Sequence, residues 1–544
     1  MIVDLQQTDK INASHSDVCV VGAGAAGITM AVELVRLGLI VSVLEGGGLD
    51  FEEASQQLYQ SNIVGLPHRG THEGRFRVFG GTSTKWAGQI LELADSDFER
   101  RSWVPGSGWP FPKSILSKYY ERALEIEGLD KSILKDSDVW RSGDVTEPAF
   151  GQGIESFFSR FCPQPNFAKL HRRFLKSNPL ATVYLHANLC EIELSASQNE
   201  IARLRCKTAG RPDSFFTASH FVFCLGGLET ARILLQPLNS LSSAPWNRSS
   251  MLGHFFQDHL DVAVATLFPR RPKDFRLHFD NIYLGGFRYM PKIRADSRLQ
   301  KKLQILAVGA SFDPQSARQN TVETFRSTLH RYMRGEKRSF GKAEAGLTLE
   351  ASDILIRKAW RYFRHRRAFN PDDLGIGLRV HCEQAPNSNS RVTLAEDRDA
   401  TGLLKLCVNW RIGELELITI RNFVDHLARA MDVYEIAQVN ILSERLQSVE
   451  TLASYASDTF HHMGTVRMAD SPQDGVVDSN CQLFGISNGY VCSSAVFPAG
   501  GFSNPTHTIL ALGVRLAEFI SRKSTALNLS EMSMAGGAPE IWQH

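Results

Sequence analysis

Three glycines and one glutamate near the start of the chain have the spacing of a dinucleotide-binding site. The glycines are Gly22, Gly24 and Gly27, in a Gly-x-Gly-x-x-Gly pattern, and the acid is Glu45. The first glycine of this pattern permits a tight turn, the second lets backbone approach a pyrophosphate, and the third lets a helix pack closely on a strand. The acid accepts hydrogen bonds from a ribose. The pattern predicts a bound dinucleotide and does not distinguish FAD from NAD.

The residues around this motif predict the elements that hold it. The apolar run 18–21 predicts a buried strand, residues 25–37 carry apolar residues at helical spacing, and Gly38 ends that helix. A second apolar run, 39–44, leads to the acid. The first helical turn would offer unpaired N–H groups to phosphates. A strand-helix-strand unit without a nucleotide is the alternative for the same pattern.

A second glycine-rich loop spans residues 74–89. Gly80 and Gly81 would let backbone lie against a flat ligand, and the hydroxyls of Thr82, Ser83 and Thr84 follow immediately. Taken alone, this segment fits an ordinary turn equally well.

Two polar segments near the C-terminus complete the set of candidate residues. They are residues 461–465 (His-His-Met-Gly-Thr) and 503–506 (Ser-Asn-Pro-Thr). The second precedes a predicted helix at 509–520, for which Asn504 suits the N-cap and Pro505 the first turn. The adjacent histidines suggest a metal, but no third ligand with suitable spacing follows, so no metal is predicted.

Length and charge limit the possible classes of protein. The chain has 544 residues, which predicts at least two domains, and a net charge of +2, which argues against nucleic-acid binding through bulk charge. The first 17 residues lack a secretory apolar core, and no run is long enough to span a membrane. The nine cysteines lack CxxC spacing and are typical of reduced thiols in a cytoplasmic protein.

The middle of the chain predicts a second domain. Residues 113–129 look helical, strands are predicted at 181–194 and 220–225, and a helix follows at 229–235. A β-rich region then runs from about 261 to 453, with strands such as 375–382 and 391–394. Within it, the basic and aromatic stretch 357–367 fits contact with a membrane or an acidic partner. A solvated helix with an apolar underside is the favoured interpretation.

Four motifs in order resemble the glucose-methanol-choline (GMC) family of FAD-dependent oxidoreductases, from Asp17 to about Ser521. They are the first glycine motif with Glu45, the run 80–83, the run 461–465 and the run 503–506, and they are most similar to the pyranose oxidase-like branch. The resemblance implies a mixed α/β fold, with a Rossmann-like FAD-binding domain of the p-hydroxybenzoate-hydroxylase type and a β-sheet substrate domain over the flavin. The FAD domain would comprise residues 14–260, with insertions around 50–175, and 454–524; the substrate domain would comprise 261–453.

The same resemblance assigns roles to single residues. His461 matches the family's active-site histidine, which would take the alcohol proton, and Asn504 matches its partner, which would hold the same hydroxyl. His462 and His507 inherit no role and are expected to be structural or substrate-shaping. The residues expected to bind FAD are Gly22, Gly24, Ala26, Gly27, Glu45, Gly80, Gly81, Thr82, Ser83, Cys190, Ser493, Ser494, Asn504, Pro505 and Thr506.

One departure from the family pattern concerns attachment of the cofactor. Lys85 stands where relatives with covalently bound flavin have a histidine. A protonated amine with a reference pKa of about 10.4 is a poor nucleophile, so non-covalent FAD is predicted.

These observations favour oxidation of a CH–OH group in a sugar, glycoside or polyol, with hydride transfer to the flavin. A hydrophobic alcohol oxidised at a membrane surface and a catalytically silent flavin-binding protein are the alternatives. The sequence leaves the electron acceptor open between oxygen, a quinone and another carrier.

Overall fold

A parallel sheet forms the centre of the dinucleotide-binding region. The computed structural model of the protein describes residues 1–8, 15–129, 134–151, 153–238, 243–318, 320–333 and 342–534. The strands of this sheet lie in the order Ile2–Asp4, Ala181–Leu185, Val41–Leu44, Ser16–Val21, Ala218–Phe223 and Gly489–Val491, and all neighbours pair in parallel. The last strand joins the C-terminal part of the chain to the N-terminal part, which explains how distant motifs meet.

The predicted strand-helix-strand unit is confirmed. The strand Ser16–Val21 leads into the helix Ala25–Arg36, and the strand Val41–Leu44 follows. Every residue of the helix from Ala26 to Val35 is buried, because the helix lies between the sheet and the C-terminal helix. Gly38 adopts φ +86°, which ends the helix where predicted.

A large antiparallel sheet lies opposite the parallel sheet. Its main path has the order Ala437–Ile441, Leu260–Pro269, Ile376–Cys382, Val308–Pro314, Phe287–Ala295, Ile154–Phe161 and Gln89–Ile90. Two short strands, Ile282–Leu284 and Ser457–Asp458, pair at its side. The region 261–453 supplies most of these strands, as predicted. The division of the chain at residues 260 and 453 stays a prediction, and two strands from before residue 260 also join this sheet.

The remaining strands of the described residues form two small sheets. One has the order Ser214–Phe216, Ile201–Lys207 and Asn188–Leu194, and the other Arg391–Arg398, Leu404–Asn409 and Ser61–Ile63. The predicted strand at 181–194 is therefore two strands that belong to different sheets, separated at His186, which has φ +58°.

Helices surround these sheets and also interrupt the region predicted to be β-rich. The helix predicted at 357–367 corresponds to the end of the helix Lys342–His365, whereas the other helices within residues 261–453 were not predicted. Across the described residues the α-helices are Ala25–Arg36, Glu53–Gln56, Asp95–Phe98, Ser117–Ile126, Asp136–Ser142, Phe167–Ser177, Gly226–Leu235, Pro272–Phe279, Ser297–Leu303, Thr321–Met333, Lys342–His365, Glu414–Val433, Val449–Tyr455 and Thr506–Met534. Short 3-10 helices lie at Gln57–Tyr59, Arg69–Thr71, Gly81–Thr84, Lys113–Ile115, Pro245–Asn247, Ser443–Leu446 and Ser494–Val496.

The helix Lys342–His365 exposes an apolar stripe. Leu349, Ile356, Trp360 and Phe363 lie on one face at helical spacing and are 60 to 76% exposed. The apolar underside predicted for residues 357–367 is wrong for Trp360 and Phe363. None of the helices that the structure describes is long and apolar enough to cross a bilayer.

Candidate active site

A cavity of about 720 Å³ joins the four motifs. It runs between the parallel sheet and the large antiparallel sheet. Of the residues predicted to be functional, those that line it are Gly22, Gly24, Ala26, Glu45, Gly81, Thr82, Ser83, His461, Ser493, Ser494, Asn504, Pro505 and Thr506. Segments almost 500 residues apart in sequence therefore face one space.

The glycine loop has the backbone geometry that its residue types require. Gly22 adopts φ +99°, and a Cβ at Gly27 would lie 1.8 Å from the carbonyl oxygen of Gly22, so helix and strand meet in direct backbone contact. A Cβ at Gly24 would meet nothing within 4 Å. The space beside Gly24 therefore belongs to the cavity, where a ligand can approach the backbone.

The N-terminus of the helix that follows the glycine loop is suited to bind an anion. The helix Ala25–Arg36 has no acidic residue in its first turn, and no side chain caps its N-terminus. Its first N–H groups, together with the helix dipole, favour a phosphate at this end. This arrangement fits the pyrophosphate of a dinucleotide.

Glu45 ties the end of its strand to the glycine loop. Its carboxylate accepts hydrogen bonds of 2.9 Å from the backbone N–H groups of Ala23 and Gly47. Burial raises the pKa of Glu45, while these two N–H groups and Arg77 oppose the rise. The free lone pairs of the carboxylate remain available to a ribose, since each oxygen accepts more than one hydrogen bond.

The second glycine loop packs directly on the first. The Gly80 N–H donates to the Ala23 carbonyl at 2.8 Å, and a Cβ at Gly81 would lie 2.8 Å from Gly24 Cα. Gly80 itself lies outside the cavity lining, as does Gly27, and both act through backbone packing. Lys85 is exposed and lines the cavity after this loop.

Cys190 also lies outside the cavity lining. Its thiol donates to the Asn188 carbonyl at 3.2 Å, whereas Ala187, Asn188 and Leu189 line the cavity instead. Ser493 and Ser494 do line it; Ser494 Oγ donates to the His462 carbonyl at 2.6 Å.

The imidazole of His461 is held in one orientation by its neighbours. Thr459 donates its hydroxyl proton to Asp258 Oδ1 at 2.8 Å, and its oxygen lies 2.8 Å from His461 Nδ1. Because that proton is already used, the Thr459 oxygen accepts from His461 Nδ1–H. The lone pair of His461 therefore lies on Nε2, the nitrogen that can accept a proton.

Asn504 completes this pair. Its side-chain Nδ2 lies 3.2 Å from His461 Nε2, and as an amide donor it faces that lone pair. The helix begins at Thr506, so Asn504 precedes it and its amide is directed to the histidine. The predicted helix at 509–520 is confirmed and extends further, over Thr506–Met534.

His461 is neutral at physiological pH. Burial lowers the pKa of His461 to about 3; repulsion from His259 and Lys292 adds to this, and Asp258 opposes it. Its Nδ1 also lies 3.0 Å from His259 Nδ1. A neutral imidazole with a free nitrogen is the form that a general base requires.

The carboxylate of Asp258 holds the backbone of this proposed base in place. Both of its oxygens lie 3.1 Å from the backbone N of His461, and His68 Nε2 lies 3.1 Å from Oδ2. Burial raises the pKa of Asp258, but its hydrogen bond to His68 and the histidines around it give a net lowering. The carboxylate therefore stays charged and holds the backbone of His461.

His462 and His507 lie in separate buried settings. The ligand atoms of His68, Asp258 and His462 lie within 4.8 Å of one another, a grouping that sequence spacing did not reveal. Asp258 already accepts hydrogen bonds from backbone N–H groups and from the Thr459 hydroxyl, so its main role is that of a hydrogen-bond acceptor.

His507 lies in a different buried setting, where its Nδ1 pairs with Glu127 at 2.8 Å. Burial alone would lower the pKa of His507, but the Glu127 carboxylate outweighs burial, and the net effect is a raised pKa.

Comparison with known proteins identifies the C-terminal part of the chain. Residues 386–513 match the family model for GMC oxidoreductase. The chain contains a C-terminal GMC oxidoreductase domain. The resemblance predicted from the motifs is thereby confirmed at the level of the family, and the matched segment includes His461 and Asn504.

Similarity to GMC relatives extends over almost the whole chain. A 2-methyl-1,2-propanediol dehydrogenase from Mycolicibacterium austroafricanum is 23% identical over 579 aligned positions, covering 94% of this chain and 96% of that protein. The fructose dehydrogenase large subunit from Gluconobacter japonicus is 21% identical, covering 93% and 97%. The crystal structure of a formate oxidase superposes with a TM-score of 0.56 at 16% identity, covering 95% of this chain and all of that one. The predicted mixed α/β fold with a Rossmann-type FAD-binding region is confirmed.

Sequence reasoning missed the polar residues that the large sheet contributes. Asp261, Lys292 and His381 stand on three of its strands and face the cavity. Arg379 Nη1 lies 3.1 Å from Asp261 Oδ2. Each occupies an inward position of an alternating strand, and polar residues at such positions were the available signal.

Charged residues at the opposite end of the cavity were also missed. Arg75 and Arg77 lie over the ring of Tyr59, at 4.1 and 5.0 Å, and both stand within 3.8 Å of the Glu229 carboxylate. Arg77 also donates to Asn188 at 2.6 Å. These side chains border the space next to Glu45.

Proposed function

We propose that this protein is an FAD-dependent oxidoreductase that oxidises a CH–OH group of a sugar, glycoside or polyol. The proposal rests on one observation. A single cavity has at one end a glycine loop and helix N-terminus whose N–H groups can bind an anion, and at the other end the His461–Asn504 pair. The family match supports it.

The residues that would hold FAD follow from the shape of the cavity. The first turn of Ala25–Arg36 and Gly24 would bind the pyrophosphate, and Glu45 the adenosine ribose. The helix Thr506–Met534 also begins at the cavity and has no acidic residue in its first turn. When bound, FAD supplies the acceptor for the two electrons and the hydrogen of a carbinol C–H bond.

The chain's own contribution is to hold the alcohol and take its proton. His461 Nε2 accepts the hydroxyl proton as the O–H bond breaks, and the oxygen keeps the electron pair that forms the carbonyl. Asn504, whose amide nitrogen lies 3.2 Å from His461 Nε2, would donate to the same oxygen and fix the position of the carbinol carbon. Thr459 and Asp258 keep the accepting nitrogen directed at the substrate.

A hydroxyl-rich substrate suits the side of the cavity that the large sheet forms. Asp261, Lys292 and His381 place donors and acceptors there, which an alcohol with several hydroxyls can satisfy. The names of two relatives, a diol dehydrogenase and a fructose dehydrogenase, support the same class.

We infer three further properties of the protein. FAD is bound without a covalent link, because Lys85 replaces the histidine expected for covalent attachment. Residues 261–453 act as the substrate-binding unit, and residues 14–260 and 454–524 as the FAD-binding unit. All nine cysteines are free thiols, which supports a reducing, cytoplasmic setting.

The deciding experiment is anaerobic mixing of the purified holoenzyme with a panel of sugars and polyols. Bleaching of the flavin by a member of the panel supports the proposal, and readmission of air then separates oxygen from other electron acceptors. A flavin that no alcohol bleaches would identify a silent flavin-binding protein instead.

The apolar stripe favours a second candidate, oxidation of a hydrophobic alcohol at a membrane. Trp360 and Phe363 are 60% and 76% exposed, and Arg357 and Arg364 lie next to the stripe. This pairing of apolar and basic side chains suits an anionic bilayer surface. Flotation with anionic vesicles tests it: the wild type should float, and Ile356→Asp/Phe363→Asp should not. Equal sedimentation of both proteins would remove this candidate.

A further inference from the structure

Lys292 is a buried cation without a partner inside the cavity. It stands on the strand Phe287–Ala295, is only 6% exposed, and lines the space that His461 faces. Among the residues that the structure describes, none forms a hydrogen bond or an ion pair with its ammonium group. Buried charges in proteins are normally paired, so an unpaired ammonium that lines a ligand cavity is suited to bind an anionic group of a ligand.

The neighbouring carboxylate, Asp261, forms its hydrogen bond with another cation, and its second oxygen has no hydrogen-bond partner among the described residues. Asp261 accepts from Arg379 Nη1 at 3.1 Å, and His381 Nδ1 lies 3.6 Å from its other oxygen. His381 Nε2 in turn lies 3.1 Å from Ser311 Oγ. On this wall Arg379 is paired with Asp261, whereas the ammonium of Lys292 has no hydrogen bond or ion pair among the described residues.

Lys292 also acts on the proposed base. Its charge contributes to lowering the pKa of both His461 and His381, which places it within electrostatic range of the substrate position. Burial lowers the pKa of Lys292 itself to about 8, with Asp261 opposing this. At pH 7 it is still protonated in about nine molecules out of ten.

We propose that Lys292 binds a carboxylate of the substrate, so that the preferred substrate is a hydroxy acid, such as a sugar acid, whose CH–OH group lies at His461. The inference rests on the proposed function and narrows its substrate class. One free ammonium beside a carboxylate matches a single negative charge better than the double charge of a phosphate ester.

Binding of such a substrate would also make His461 a stronger base. A carboxylate on Lys292 cancels the positive field that Lys292 exerts on His461, and the pKa of His461 rises accordingly. A base with a pKa nearer the working pH accepts the hydroxyl proton more effectively. The neutral analogue of the same alcohol gives no such gain.

The test compares matched pairs of substrates that differ in one carboxylate. Anaerobic stopped-flow reduction is measured with glycerate against glycerol and with gluconate against glucitol, each pair differing in a carboxylate that replaces a CH2OH group. We expect the wild type to favour the acid of a pair by about ten- to a hundred-fold, the range of one charge-assisted hydrogen bond. In Lys292→Met this ratio should fall to about one, in Lys292→Arg it should be partly kept, and in Lys301→Met, an exposed lysine, it should be unchanged.

Binding without turnover gives a second readout. Propionate, which has no hydroxyl, is titrated into the oxidised holoenzyme and followed by the flavin difference spectrum; its Kd should rise at least tenfold in Lys292→Met. FAD content and melting temperature show whether a variant is folded, and Lys292→Gln replaces Lys292→Met if it is not. Bleaching by neutral alcohols without preference for the acid would overturn this proposal and leave the proposed function standing. Absence of bleaching by every alcohol would overturn the proposed function itself.

Discussion

The hydroxyl oxygen of Thr459 lies 2.8 Å from Nδ1 of His461, and the hydroxyl proton of Thr459 is donated to Asp258. The chain Asp258–Thr459–His461 therefore fixes one tautomer of the imidazole, with the proton on Nδ1. It does so with a carboxylate that is fully buried and also receives the backbone N–H of His461. Orientation and protonation of the proposed base thus depend on one anchor.

Removing the Thr459 hydroxyl should slow reduction of the flavin. In Thr459→Val the Nδ1 proton loses its hydroxyl acceptor and has His259 Nδ1 as its remaining neighbour, and we expect a rate about 10- to 100-fold lower, the cost of one buried hydrogen bond. Thr459→Ser keeps the hydroxyl and should recover most of the rate. Stopped-flow reduction measures both variants, and equal rates for valine and serine would contradict the tautomer argument.

Loss of the proposed base should leave the cofactor in place. His461→Ala is expected to retain FAD and to reduce it about two to four orders of magnitude more slowly with an alcohol. Because the pKa of His461 is lowered to about 3, the wild type should show no loss of rate from base protonation between pH 8 and pH 5. A rate that falls with an apparent pKa near 6.5 in a stably folded wild type would show that His461 titrates normally.

Two glycines of the first motif should respond differently to a side chain. Gly24→Val places a branched side chain in the cavity, where no protein atom lies within 4 Å of the new Cβ, so we expect a folded but colourless protein. Gly27→Ala places a Cβ 1.8 Å from the Gly22 carbonyl oxygen and should disturb the fold itself. Circular dichroism and FAD content distinguish the two, and a yellow, fully loaded Gly24→Val protein would refute the assignment.

FAD should leave the protein completely on unfolding. Because Lys85 stands where relatives with covalent flavin have a histidine, acid precipitation should leave all yellow colour in the supernatant. A flavoprotein with covalent FAD, treated in parallel, should keep its colour in the pellet. Flavin in the washed pellet, or a peptide from residues 74–89 that carries the mass of FAD, would show a covalent link.

Carboxylate binding should weaken at alkaline pH. The pKa of Lys292 is lowered to about 8, so its ammonium, and with it the affinity for propionate, is lost as the pH rises through that value. The Kd should be constant between pH 6 and 7 and rise about tenfold per pH unit well above 8. Lys292→Met should lack this rise. The other titratable groups around the ammonium are Asp261, His259, Arg379, His381 and His461, and a rise in the Met variant would assign the effect to one of them.

The parts of the fold that local sequence determines were predicted well. The run from the strand Ser16–Val21 to Glu45 was predictable because strand, turn and helix signals follow one another within 30 residues. The helix Lys342–His365 was predicted only over its last residues, since large apolar residues such as Trp360 and Phe363 face outward while Ala351 and Ile354 are buried. The break at His186 depends on which sheets its two strands join, which lies outside local sequence.

The supporting residues of the site could not be found from spacing. Asp258 reaches His461 across 203 positions of sequence, and it does so because the isolated pairing of Gln257 with Met463 brings the two segments together. Lys292 faces the cavity only through the register of the large sheet. Motifs revealed the groups that we propose contact the cofactor and the hydroxyl, and tertiary structure was needed to find the residues that orient these groups and set their charge.

The division of the cavity between two sheets has an evolutionary consequence. The glycine loops and His461 belong to segments whose backbone contacts leave little freedom, whereas Asp261, Lys292 and His381 are single side chains on separate strands. Because alternate residues of a strand face opposite ways, each of the three can mutate without displacing the layer behind it. A lineage built on this scaffold can therefore exchange its substrate by a few point mutations while inheriting its redox chemistry intact.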